Sequence, residues 1–182
     1  TVEGEKLIKH VHVEDYGVSL AFTEPLWNSK TLHRMFLARA DSTIGDSNKS
    51  KVGVLLVGHG QPDEWDKKFP TETEQEILFR EEILKLFEAD GYKRANLGLA
   101  WMSFKEPKPA EKVEELVNKG VDTILFFAAT ISADAIHSQS DIPALVYEAK
   151  IPEEVRVINM GAWNDDPLVI EAIKERIDML IS

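Results

Sequence analysis

The chain has 182 residues, 43% hydrophobic and 29% charged, with a formal net charge of −11 and no cysteine. That is enough for one globular domain, or one plus part of another. The acidic balance argues against a nucleic-acid partner, the missing cysteines exclude disulfides and thiolate-held metals or iron–sulfur clusters, and no apolar run approaches the roughly 18 residues of a membrane span.

The chain begins with Thr1, so the natural amino terminus is expected upstream, and a cytoplasmic setting fits the cysteine-free composition. Residues 1–16 carry little pattern; His10 and His12 alternate with Val11 and Val13, as on an extended arm. Val18–Phe22 reads as a strand, and Ser29 can cap a helix through about Arg39, with Leu32, Met35 and Phe36 buried. Asp41 to Lys51 is a polar linker. Val52-Gly53-Val54-Leu55-Leu56-Val57 is an apolar run that stops at Gly58-His59-Gly60, as a buried parallel strand ending in a tight turn would.

Asp63 to Pro70 reads as a polar loop, and Thr71-Glu72-Thr73-Glu74 as a capping-box start to a helix reaching about Ala89, with Ile77, Phe79, Ile83, Leu84, Leu86 and Phe87 as core candidates. A strand over Ala95–Met102, a helix from Pro109 to Gly120, a very apolar strand over Val121–Ala129, a long loop over Thr130–Pro143 and a strand over Glu154–Met160 follow. Asp166-Pro167 opens a last helix with Val169, Ile170, Ile173, Ile177 and Leu180 on its apolar side. Alternating strands and helices from residue 52 imply an α/β fold: a Rossmann-like parallel four-stranded sheet with helices on both faces.

The chain also repeats itself. Leu26-Trp27-Asn28-Ser29-Lys30-Thr31-Leu32 resembles Ala162-Trp163-Asn164-Asp165-Asp166-Pro167-Leu168, and each stretch precedes a helix expected to end near an arginine, Arg39 or Arg176. Residues 1–50 thus read as the last strand–helix unit of a preceding lobe plus a linker, and 51–182 as a second lobe of the same kind.

Three strand-end loops carry candidate chemistry: His59; Glu106 near Trp101, Met102 and Phe104; and His137 near Asp134 and Asp141. A parallel sheet sends all three loops to one edge. Two neutral imidazoles and a carboxylate suit a divalent ion such as Fe²⁺, Co²⁺, Ni²⁺ or Zn²⁺. Each also has a purely structural reading. His59 could bond a loop, His137 could cap the next helix, Glu106 could stabilise a helix start, and Trp101 and Phe104 could be core. Neither a Walker loop, a full dinucleotide fingerprint nor a serine-hydrolase elbow is present.

Together, Val54-Leu55-Leu56-Val57-Gly58-His59-Gly60, Phe104-Lys105-Glu106-Pro107 and Ser132 to Pro143 resemble the class II tetrapyrrole chelatases, which comprise ferrochelatase and the sirohydrochlorin cobalt and iron chelatases. The resemblance spans about residues 52–182. It implies two Rossmann-like lobes with metal and tetrapyrrole meeting between them, and His59 as the principal metal-binding and catalytic histidine. His137 falls where the sirohydrochlorin enzymes place a second histidine and protoporphyrin ferrochelatases a glutamate, whereas His59-Gly60-Gln61-Pro62 and Phe69-Pro70 look more like ferrochelatase. The implied function is insertion of a divalent metal, Fe²⁺ before Co²⁺, into a tetrapyrrole. His59 and His137 would present the metal, Glu106 would relay a proton, and Trp101, Met102 and Phe104 would pack on the ring. No prosthetic group is implied, the metal being substrate. A sirohydrochlorin chelatase, or a non-catalytic lobe binding metal or ring, are the competing readings.

Overall fold

The structure, a computed structural model, describes Gly17 and residues 21–181. Four strands, β1 (Val52–Gly58), β2 (Leu97–Trp101), β3 (Thr123–Ala128) and β4 (Arg156–Asn159), form one parallel sheet in the order β2-β1-β3-β4. β1 and β3 lie in the middle and are buried along their whole length, which is why their sequences are continuous Val, Leu and Phe rather than alternating with polar residues. Successive side chains go to opposite faces. Val52, Val54, Leu56, Leu125 and Phe127 enter one core, while Leu55, Val57, Ile124, Phe126 and Ala128 enter the other.

The first core is closed by helices α1 (Lys30–Ile44), α3 (Pro70–Ala89) and α6 (Pro167–Ile181). The second is closed by α4 (Pro109–Asn118) and α5 (Ile142–Tyr147). In α1 the Ser29 hydroxyl accepts the Leu32 N–H at 3.2 Å, satisfying one orphan donor of the first turn. A 15-residue helix is marginal alone. Leu32, Met35 and Phe36, all fully buried, supply about 1.5–3 kcal/mol each and hold it in place.

Several expectations need correction. α1 runs on to Ile44, so the first residues of the anticipated linker are helical, and Lys49–Lys51 is a 3₁₀ turn. The loop before α3 is largely a short helix, α2 (Asp63–Lys68). α3 starts at Pro70 with no side-chain cap; Thr73 donates instead to Asp66 at 2.6 Å. The long loop after β3 holds a π-helical turn, His137–Asp141, followed by α5. On α6 only Val169 and Ala172 are buried, while Ile170, Ile173, Ile177 and Leu180 are exposed, as is Ile77 on α3. The strand expected at Val18–Phe22 lies mostly outside the described residues, and Ala21 and Phe22 belong to no strand. The arm with His10 and His12 lies outside them altogether.

From β1 the chain passes by α3 to its outer neighbour β2, then by α4, across the other face, to β3 on β1's other side. The carboxyl ends of β1 and β3 therefore flank a topological switch point, where such sheets open a crevice for ligands.

Candidate active site

His59 follows the last residue of β1. Its backbone N–H donates to Glu76 Oε1 at 2.8 Å and lies 3.0 Å from Thr130 Oγ1, and the Thr130 hydroxyl donates to the same Glu76 oxygen at 2.8 Å. A Cβ on the preceding Gly58 would sit 2.5 Å from that oxygen, so any larger residue there would displace the Glu76 side chain. Gly60 turns the chain at φ +78°, and a Cβ there would meet the Ser103 carbonyl at 2.3 Å. The His59 ring places Nδ1 2.6 Å from the Gly60 carbonyl. A carbonyl only accepts, so Nδ1 carries the proton and Nε2 keeps a free lone pair.

His137 opens the π-helical turn, an irregularity concentrated at functional sites. Its Nδ1 lies 2.6 Å from Asp141 Oδ2, which again places the proton on Nδ1 and leaves Nε2 free. A carboxylate behind an imidazole is how metal-binding histidines are usually oriented. The turn is tied down by Asp134. That carboxylate accepts the Ala162 N–H at 2.9 Å, the Asn164 side-chain amide at 2.8 Å and the Ser138 hydroxyl at 3.0 Å. The Ala162 N–H, then Asn164, hold its pKa down to about 2.

The two rings meet edge to face, with centroids 5.3 Å apart at 65°. A divalent ion held ~2.1 Å from one nitrogen of each ring puts ring centres roughly 5–6 Å apart at ordinary coordination angles. The centroid spacing leaves room for an ion between two imidazoles. Among the described residues, no group of three or more His, Asp or Glu is arranged to hold a metal.

Beside His59 opens a cavity of about 640 Å³. Trp27, Trp65, Phe79, Phe104 and Trp163 supply its aromatic wall; Glu72, Gln75 and Glu76 from α3 supply a polar strip, and among the described residues no lysine or arginine lines it. Trp65 and Phe104, 56% and 58% exposed, stand at its rim. Phe104 adopts φ +62°, unusual for a bulky residue and of the kind found at ligand clamps. Its ring lies 6.5 Å from that of His59.

Of the residues singled out from sequence, His59, His137 and Phe104 come together. Glu106 is exposed, 3.9 Å from Lys108, and does not line the cavity. Trp101 and Met102 are buried: Trp101 lies under the Arg80 guanidinium at 3.9 Å, and Met102 belongs to the α4/α5 core. Sequence reasoning passed over Trp65 and Glu76. A signal for Trp65 was present, since Pro62 followed by Asp63, Glu64 and Asp66, then Lys67 and Lys68, matches the charge order of a short helix.

A family model described as CbiX matches residues 53–180, from β1 to the end of α6. The chain is also similar to a protein of Sulfolobus acidocaldarius named sirohydrochlorin cobaltochelatase. The two are 27% identical over 134 residues, which cover 72% of this chain and 94% of that protein.

Proposed function

The chain belongs to the CbiX family of class II tetrapyrrole chelatases, and from that premise we propose that it inserts Fe²⁺ into a ring bearing few carboxylates, as ferrochelatases do in haem synthesis. Tetrapyrrole metal chelation is the family's chemistry; Fe²⁺ and a ring with few carboxylates are what we propose for this chain. The observation that carries it is the cavity beside His59, which among the described residues has aromatic walls, two glutamates and no cation. At an effective dielectric of about 20, a ring carboxylate ~4 Å from either glutamate is repelled by about 4 kcal/mol. A ring with many carboxylates meets that repulsion at several edges, whereas a ring with few can turn them to solvent.

In this reading the free Nε2 atoms of His59 and His137 take the ion from water and present it to the ring. Two protein ligands grip loosely, which suits an ion that must be passed on. Phe104 packs on the macrocycle, with Trp65 opposite. Glu106, on the same exposed loop as Phe104, passes pyrrole protons to solvent. Trp101 and Met102 serve as the buried floor of that loop. A cytoplasmic setting completes the proposal.

The second reading, a sirohydrochlorin cobalt or iron chelatase, is favoured by His137 at a position where ferrochelatases typically carry glutamate, and by the name of the Sulfolobus relative. Purified protein offered each ring with Fe²⁺ and with Co²⁺, without oxygen, separates the two through the absorption of the metallated product. Faster insertion of Fe²⁺ into the ring with few carboxylates is expected; preference for the polycarboxylate ring with Co²⁺ would hand the case to the second reading. Stoichiometric binding without turnover would mean a non-catalytic lobe. His59→Ala is expected to abolish insertion while leaving the circular dichroism spectrum intact.

We further propose that residues 1–50 end a preceding lobe and that 51–182 form the second. α1 and α6 are both 15 residues long. Counted from their first residues, Arg39 and Arg176 occupy equivalent positions. Arg39 donates to the Ala162 carbonyl at 2.7 Å and to that of Met160, before α6; Arg176 donates to the Pro25 carbonyl at 3.3 Å and to the Asn28 side chain, before α1. Arg34 and Glu171, also equivalent, pair with each other at 3.9 Å. Such reciprocity marks a pseudo-two-fold axis. Where α1 buries Phe36, Ala40 and Ile44 in this lobe, α6 exposes their equivalents Ile173, Ile177 and Ile181. A second lobe of the same fold, presenting the same apolar wall, is the surface that stripe fits.

A further inference from the structure

We propose that Glu76 is a positioning residue for metal delivery, acting through the backbone of His59. The idea rests on the reading of His59 as a metal ligand. A histidine on a loop has two backbone torsions and two side-chain torsions to settle before its Nε2 points anywhere useful, and sub-ångström placement decides whether a ligand pair closes on an ion. The ring of His59 is fixed by its own Nδ1 against Gly60. Its backbone is fixed by Glu76, whose Oε1 accepts both the His59 N–H and the Thr130 hydroxyl at 2.8 Å each. One oxygen therefore ties the end of β1 to the residue shortly after β3, the two loops that deliver His59 and His137.

The next turn of α3 extends the brace. Arg80 is 0% exposed, donates to the Leu56 carbonyl at 3.2 Å and the Ala100 carbonyl at 2.7 Å, and stacks on Trp101. It joins the carboxyl ends of β1 and β2. Burial lowers its pKa to about 10, so it remains a cation at neutral pH. A fully buried charge of this kind is costly and persists only where neighbouring groups compensate it. Here the compensation comes from two strand carbonyls, an indole face and the field of Glu76 one turn away. Gly58 makes the arrangement possible, since a Cβ there would lie 2.5 Å from the Glu76 oxygen and 2.7 Å from the Arg80 Cζ. Helix α3 thus carries a two-residue clamp across three strand ends, and its outer member faces the cavity.

Outer partners of metal ligands typically change metal affinity or activity ~10–100-fold when removed. The test is a Co²⁺ titration, read by the visible absorption of imidazole-bound Co²⁺, alongside steady-state insertion kinetics. Glu76→Ala is expected to weaken Co²⁺ binding and lower kcat by ~10–100-fold. Glu76→Gln keeps the accepting oxygen and is expected to restore Co²⁺ affinity within about threefold. Wild-type Co²⁺ affinity in Glu76→Ala would overturn the proposal, as would a Glu76→Gln protein as impaired as Glu76→Ala. Should Glu76→Ala fail to fold, Thr130→Val decides: a loss of affinity supports the brace, wild-type affinity sinks it. His59→Ala runs beside these variants. If it binds Co²⁺ like wild type, the fault lies in the role given to His59; if only the Glu76 variants do, the fault lies in the brace.

Discussion

His33 shows what separates a structural histidine from a candidate ligand. It is buried, its Nε2–H donates to the Trp27 carbonyl at 2.7 Å, and its ring leans on Phe79 at 5.4 Å. Burial lowers its pKa, so the folded state favours the neutral ring. The sign follows from linkage: the stability it contributes is complete above the unfolded value near 6.5 and is lost as pH falls through the lower folded value. Urea unfolding at pH 7.5 and 5.5 is expected to show wild type weakening on acidification more steeply than His33→Gln; parallel slopes would refute a buried neutral ring. His59 and His137 differ in kind, each spending Nδ1 on an acceptor and leaving Nε2 uncommitted.

At the scale of elements, the loops after β3 and β4 behave as one unit. Asp134 takes donors from Ala162, Asn164 and Ser138, and Asn159 donates to the Ser138 carbonyl at 3.1 Å. The π-helical turn that places His137 is anchored between these two contacts. Asp134→Ala is expected to cost about 1–2 kcal/mol in urea unfolding, a modest sum because the carboxylate is largely exposed. It should also weaken Co²⁺ binding at the histidine pair, and full retention of affinity would show that His137 is held without this anchor. The cavity rim depends similarly on the loop after β2. Lys105 pairs with Asp63 at 2.7 Å and with Asp66, drawing Phe104 towards the helix that carries Trp65.

For the whole molecule, the exposed face of α6 makes the sharpest demand. Ile173 and Ile177 are 43% and 49% exposed, on a helix whose other side packs against α1. Converting both to Asp is expected to shift the melting temperature of this chain by no more than roughly 2–4 °C, since neither is buried here. Sedimentation velocity should show concentration-dependent association of the wild type that the double substitution removes. A large drop in melting temperature, or a wild type that stays monomeric at high concentration, would argue against a docking face. Among the described residues no helix is long and apolar enough to cross a membrane.

By itself the sequence determined the sheet, because the apolar runs Val52 to Val57 and Ile124 to Ala129 read as buried strands in an alternating chain. It also placed His59 at a strand end, between two glycines, of which Gly60 has no room for a side chain. The Trp-Asn repeat was legible as well, and it foretold two equivalent helices. What the sequence left undecided was whatever depends on neighbours distant along the chain. The short helices α2 and α5 have too few residues to declare themselves without the contacts that hold them. Trp101 and Phe104 are close in sequence, yet one is pinned beneath Arg80 and the other stands at the rim, because the loop turns at Phe104. Glu76 reads as one more surface charge on a helix until the fold brings His59 and Thr130 to it. The meeting of His59 with His137 belongs to tertiary structure too: it arises because β1 and β3 are neighbours whose following helices leave towards opposite faces.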